Sequence, residues 1–435
     1  MTNLNRTQLS QLFLSPSTTP TSPYHNEATT LHPHAIAAPI PHPHSRQPIH
    51  LHLLPAIPTR PLLHQPPAKC QPPTTPQSSY TLLPSRRLIS LSGPDAPHFL
   101  QGVITANIAP STQSTPRTSG FYAAFLNAPG RILNDVFIYP DSNNLLKGKH
   151  DGSGGENWIV EVDARLAETL FKHLKRFRLR AKFDIRLLPE DEMQTWSLWK
   201  EDKSKEVGKG WTPHTIPTSS EAVAPPTGHI ECVDIRAPGM GKRFLMLGGS
   251  KPPAEETEGL VEGYEMSYTI RRYLKGVAEG QDEILRESAL PQESNIDYMS
   301  GIDYRKGCYV GQELTIRTHH TGVVRKRILP VQLYGAKEDE PQTLEYKPEV
   351  EIEGPPAETQ IGRFEKRGRS AGKWLKGVGN VGLALCRLEI MTNAMQGEGA
   401  GYKEGDEFKF EWKTEDGAEN LVKVKAFVPA WHLSK

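Results

Sequence analysis

Beyond residue 86 the apolar positions fall mostly into short runs separated by polar or glycine-rich breaks, with helical spacing in a few places. Residues 87–91 read as a strand that turns at Ser92-Gly93-Pro94-Asp95 into a short helix carrying Phe99 and Leu100. Residues 118–126 and 131–139 are two apolar strand patterns joined by Asn127-Ala128-Pro129-Gly130, which has the chemistry of a hairpin turn. A polar, glycine-rich loop over 147–157 precedes another strand at 158–162. Leu166, Leu170, Leu174 and Phe177 then recur at helical spacing with basic residues between them, which predicts a helix from 164 to about 178. A strand at 183–187, a polar connection over 200–227 and a strand pair at 230–236 and 243–247 follow. The helical stretch 264–275 brings Tyr268, Arg271 and Arg272 together. Strands beside helices, without regular alternation, predict an α+β domain.

From Val324 the pattern is mostly strand, at 328–333, 360–364, 377–386, 407–412 and 421–427, and short strands with glycine-rich turns fit a small β-barrel. The acid-free, cation-rich insert 366–376 reads most simply as a solvated loop, with docking of an acidic partner as the alternative.

A chain of 435 residues with 37% hydrophobic content is long enough for two domains. No apolar run approaches the roughly 18 residues that a membrane span needs, and a net charge of +1 gives no nucleic-acid or membrane footprint. The charge is unevenly placed. Residues 1–77 carry Arg6, Arg46, Arg60 and Lys69 against Glu27, so this stretch is +3 and the remainder −2. It is rich in Pro, Ser, Thr and His, poor in acids, and lacks a continuous apolar core; residues 4–13 can form a short amphipathic helix. We read 1–79 as a mitochondrial targeting leader followed by a disordered tether, the alternative being a tail without an address. Its pairs His32/His34, His42/His44 and His50/His52 have a metal reading that the interleaved prolines weaken. The cysteines Cys70, Cys232, Cys308 and Cys386 form no C-x-x-C pair, so neither a zinc ribbon nor a disulfide framework is indicated. A self-contained cluster usually takes four thiolates, so any cluster would be shared or transient.

The most unusual chemistry lies in Arg305-Lys306-Gly307-Cys308-Tyr309-Val310-Gly311-Gln312-Glu313. Two cations precede a thiol flanked by glycines, and Gln312-Glu313-Leu314 reads as the first turn of a helix. Neighbouring positive charge and a helix N-terminus both favour the thiolate, which attacks electrophiles and ligates metal. A small buried cysteine at a tight turn fits the same local sequence.

The run Lys306-Gly307-Cys308-Tyr309-x-Gly311-Gln312-Glu313 resembles the signature of the YgfZ-type iron-sulfur cluster assembly factors, a branch of the tetrahydrofolate-binding, aminomethyltransferase-like (GcvT) family. Leu290-Pro291-Gln292-Glu293, Asn295, Asp297, Arg317 and residues 322–327 extend the resemblance, as do Gly93, Asp95, Phe99-Leu100-Gln101-Gly102, Thr105, Asn107, Gly130-Arg131 and the run 379–384. It covers roughly 86–435 and implies α+β subdomains around a central folate-binding cavity, closed by a C-terminal β-barrel. The domains expected are the leader 1–79, a folate-binding-type domain at 80–327 and the barrel at 328–435. The resemblance further implies late maturation of [4Fe-4S] proteins in the mitochondrial matrix, with A-type carriers and [4Fe-4S] client enzymes as partners. Cys308 is then the functional thiol, either an iron ligand shared with a partner or a redox thiol. Lys306, Gln312 and Glu313 shape its loop, with capping, packing and helix initiation as alternative roles. Asn134, Asp135 and Arg317 are the residues assigned to a tetrahydrofolate cavity.

One departure separates this chain from the transferases of the wider family, which carry Gly-Gly-x-x-Asp-Asp at the hairpin. Here the run is Gly130-Arg131-Ile132-Leu133-Asn134-Asp135. Asn134 replaces the first Asp and cannot act as a general base or balance a cationic intermediate; Asp135 would replace it only if the strand slipped by one residue. Three functions remain in play: an assembly factor, a folate-dependent one-carbon transferase, and a binding module that docks through 366–376. The first accounts for the signature, and the second lacks its acid.

Overall fold

In the computed structural model the described residues are 78–109, 117–142, 144–146, 157–201, 228–350, 352–364, 368–394, 401–414 and 417–433. The leader to residue 77 with its His pairs and Cys70, most of the loop over 147–157 and most of the connection over 200–227 lie outside them. In chain order the elements begin with β1 (Ser79–Leu82), β2 (Arg86–Ser92), α1 (Ala96–Val103), β3 (Phe121–Leu126), β4 (Ile132–Pro140) and β5 (Asn157–Asp163). A short 3-10 turn leads into α2 (Ala167–Phe177), then β6 (Asp184–Leu187), β7 (Met193–Trp199), β8 (His229–Val233) and β9 (Lys242–Leu247). Next come α3 (Ala254–Thr257), β10 (Val261–Glu262), α4 (Glu265–Lys275) and α5 (Gln312–Thr321). The barrel elements are β11 (Lys326–Tyr334), β12 (Gln360–Arg363), β13 (Gly372–Val378), β14 (Val381–Arg387), α6 (Leu388–Met391), β15 (Phe408–Lys413) and β16 (Glu419–Ala426).

These strands form two five-stranded sheets, β3-β4-β5-β2-β6 and β10-β1-β7-β9-β8, and a closed barrel in the order β11-β14-β13-β12-β15-β16. The α+β architecture with a C-terminal barrel matches the expectation from the sequence. Strands β3 and β4 are buried along their whole length, which is why they read as unbroken apolar runs. Successive side chains serve two cores. Tyr122, Phe137, Tyr139 and Ile159 join the central core, whereas Phe125, Val136, Ile138 and Val160 pack on the other face with Leu100 of α1 and Leu170 and Leu174 of α2. The central core continues through Tyr268, Ile270 and Tyr273 of α4 to the outside of the barrel at Ile328, Leu375 and Leu383. Helix α4 stops at Gly276, whose φ of 72° is left-handed and whose missing side chain leaves room for Pro330 and Pro429.

Two expectations need correction. The insert 366–376 is not simply a loop: β13 occupies its second half, with Trp374 and Leu375 buried. Lys373 pairs with Glu358 and Lys376 with Asp282, so two of its cations have partners within the fold. The strand expected over 377–386 is in fact the end of β13, a tight turn at Gly379-Asn380 (φ of Gly379 55°) and β14. A glycine and an asparagine inside an apolar run mark the turn, because both tolerate left-handed geometry.

Candidate functional site

The signature loop lies between α1 and α5 and is held from both sides. Lys306 turns inward, its Nζ donating to the carbonyls of Gln101 (2.8 Å), Ile104 (2.6 Å) and Ala106 (2.9 Å) at the C-terminal end of α1. Those carbonyls have no partner within the helix ladder, and a cation there also meets the negative end of the helix dipole. Burial pulls Lys306 down to about 7, with Asp303 opposing. The backbone N–H groups of Asp303 and Val310 donate to the carbonyls of Thr105 (3.0 Å) and Gly102 (3.1 Å), so the loop is tied both to α1 and to the segment that follows it. At the other end the Gln312 side chain accepts from the Tyr309 N–H at 3.2 Å. Gly311 begins α5 with φ 79°, and a side chain there would run into the carbonyl of Asn127 in the β3–β4 turn. Tyr304 stacks on His319 of α5 with ring centroids 3.6 Å apart.

Within this frame Cys308 is exposed, while Cys232 and Cys386 are buried and burial pushes both thiols up. Arg305 and Glu313 are exposed, Glu313 in the first turn of α5 where a carboxylate complements the dipole. Lys306 and Gln312 therefore build the loop and Cys308 is presented by it. Among the described residues no three His, Cys, Asp or Glu side chains converge to hold a metal ion.

The residues assigned to a folate cavity lie in different environments. Asn134 and Asp135 are fully buried on β4, past an irregularity where Phe125 pairs with Asn134 and Leu126 with Ile132, so that Leu133 is the extra residue. Asn134 accepts from Arg286 at 3.1 Å, and its amide nitrogen has no partner. Asp135 accepts from the Gly280 N–H at 3.1 Å and lies 3.6 Å from Arg86. Arg317 is exposed on α5. Neither of two described cavities, of about 350 and 230 Å³, is lined by any of the three.

Around Asp135 is a group of charges that sequence reasoning missed. Arg243 donates to Glu161, Glu279 and the Tyr268 hydroxyl. Arg236 makes a two-nitrogen contact with Asp234 (2.7 and 2.9 Å) and reaches Glu279 at 2.7 Å. Arg86 bonds Glu161 at 2.8 Å, and Arg272 grips Glu283 with two nitrogens at 2.6 and 3.0 Å. All nine charged side chains, and Tyr268 among them, are buried. Burial pushes Glu279 up, but Arg243, Arg236, Arg86 and Arg272 outweigh it and hold it well below the usual carboxylate range. Burial and the charge of Glu279 raise Asp135 against the pull of Arg86 and Arg236. Four guanidiniums thus face five carboxyl groups, of which Asp135 is the one pushed up. The one signal in the sequence was Tyr268, Arg271 and Arg272 together on a helix; their acidic partners are scattered from 161 to 283.

Two sheets over a charged centre, closed by a barrel, define an aminomethyltransferase-type fold with a separate C-terminal barrel. Residues 325–433 match the family described as CAF17, C-terminal beta-barrel domain. Glycine cleavage system aminomethyltransferase T from Bartonella henselae aligns with a TM-score of 0.53 over 81% of this chain and 86% of its own, at 14% identity, which is a likeness of fold. Much nearer in sequence is the mitochondrial iron-sulfur cluster assembly factor IBA57 homolog of Aspergillus fumigatus, 46% identical over 385 residues, 84% of each chain. That of Pyricularia oryzae is 50% identical over 364 residues, 81% of this chain and 85% of its own. The chain belongs to this IBA57 family of iron-sulfur cluster assembly factors.

Proposed function

We propose that this chain acts in the late maturation of [4Fe-4S] proteins in the mitochondrial matrix, with Cys308 as one ligand of a cluster held jointly with an A-type carrier before delivery to a client enzyme. The observation that carries this reading is the exposure of Cys308 on a loop fixed by Lys306 and Gln312, while the other described thiols are buried. Four thiolates usually hold a cluster, so a single open thiol fits a shared site whose remaining ligands come from the partner. Exposure also leaves the Cys308 sulfur open to a partner-held metal. No step of this reading is routed through tetrahydrofolate.

The test mixes the protein anaerobically with a cluster-loaded A-type carrier and compares wild type with Cys308→Ala by absorbance and Mössbauer spectroscopy. A mixed complex with altered cluster spectra is expected for the wild type alone. Identical behaviour of the two proteins refutes the shared-ligand mechanism.

A further inference from the structure

The larger cavity, about 350 Å³, lies between the barrel and the run 283–294, and no role described above uses it. Its apolar lining includes Leu285, Leu290, Leu375 and Leu385, and none of its lining residues is aromatic. Four cations stand around it, Arg131, Lys326, Lys373 and Arg387, against the two carboxylates Glu283 and Glu293. Both carboxylates are engaged, Glu283 by Arg272 and Glu293 by Lys326 at 3.0 Å, and Lys373 pairs with Glu358. Arg131 and Arg387 have no carboxylate partner among the described residues. Arg131 donates one nitrogen to the Ser288 carbonyl, and Arg387 donates Nε to the Ser370 carbonyl at 2.9 Å, which leaves its two terminal nitrogens unused.

We propose that this cleft binds a small aliphatic anion, its carboxylate or phosphate head between Arg131 and Arg387 and its chain on the leucine floor. Guanidinium groups recognise either head by paired N–H donors. With no ring to stack a planar body on, an aliphatic chain fits the lining better than an aromatic one. At about 30 Å³ per water-sized group the volume holds roughly a dozen heavy atoms, the size of a ten-carbon chain with its head. Sites that combine an apolar floor with a few placed polar groups are the usual form of small-molecule pockets.

Isothermal titration calorimetry on the full chain with decanoate and with decyl phosphate, below their micelle concentrations, tests this. One of the two should saturate at one per chain, and the tighter identifies the head group. The uncharged 1-decanol and inorganic phosphate, each lacking half of the recognised chemistry, should bind at least tenfold more weakly. Arg131→Gln and Arg387→Gln should each weaken the preferred anion, and together by at least tenfold. Leu385→Trp, which fills the floor, should abolish binding, with unliganded circular dichroism melts showing that each variant folds. Cys308→Ser should bind like wild type, so the outcome is independent of the cluster reading. The proposal is overturned if neither anion saturates at one per chain, if 1-decanol binds as tightly, or if the folded arginine variants bind like wild type.

Discussion

Replacing Arg243 by Met should cost about 3 kcal/mol of stability. Breaking a buried ion pair by removing one partner typically costs 3–5 kcal/mol, because the remaining charge stays desolvated. Two features place this case at the lower end. Glu161 keeps Arg86 at 2.8 Å and the Tyr139 hydroxyl at 2.6 Å, and Glu279 keeps Arg236 at 2.7 Å. Methionine also refills part of the space over the Phe137 ring, where the guanidinium carbon lies 4.2 Å from the centroid. Urea unfolding at pH 7 measures the loss. A double variant that also carries Glu161→Gln should recover about 1 kcal/mol or more, since it removes the excess negative charge that loss of Arg243 leaves in the interior. The pH dependence has a definite sign. Glu279 is held well below its usual 4.5, so its ion pairs stabilise fully above that value and are lost as pH falls through its folded pKa. Arg243→Met removes the foremost opposing charge, so the gap between wild type and variant should hold steady from pH 6 down to about 4.5 and narrow only below it. A loss below about 1 kcal/mol with no rescue by Glu161→Gln would refute the view that Arg243 holds these carboxylates in the interior.

Lys306→Met should free the loop from α1, raising amide hydrogen exchange over 304–311 while α2 keeps its protection, at a cost of about 1–3 kcal/mol for the lost charged donor. Gly311→Ala should destabilise by more than about 2 kcal/mol, because the backbone is left-handed and the Asn127 carbonyl fills the space; Gly307→Ala, with nothing near it, should stay within about 1 kcal/mol. Brief alkylation of native protein followed by peptide mass spectrometry should label Cys308 and spare Cys232 and Cys386 until urea unfolds the chain.

Much of the fold was legible in the sequence, for identifiable reasons. The hairpin was marked by Asn127-Ala128-Pro129-Gly130 between apolar runs, and α2 by leucines at helical spacing. Strand β7 went unread because Met193, Gln194, Thr195, Trp196, Ser197, Leu198 and Trp199 show no clean alternation, although all but Gln194 are buried. The loop could be found from its glycines and cysteine. The inward turn of Lys306 could not, since a lysine beside a thiol looks equally like its electrostatic companion. The charged centre was hidden for a related reason: charged residues dispersed along a sequence are indistinguishable from solvated ones until the fold gathers them.

The anchoring of the signature loop on two sides bears on how fast a partner can engage. A thiol on a free loop would have to be immobilised during association, and each ordered residue would subtract from the affinity. Here α1 and the β3–β4 turn impose that order when the chain folds, so in the proposed shared-cluster complex Cys308 would meet its partner already ordered. Encounter should then proceed at an ordinary protein–protein rate without a conformational lag, and differences among partners should appear mainly in how long each complex lasts.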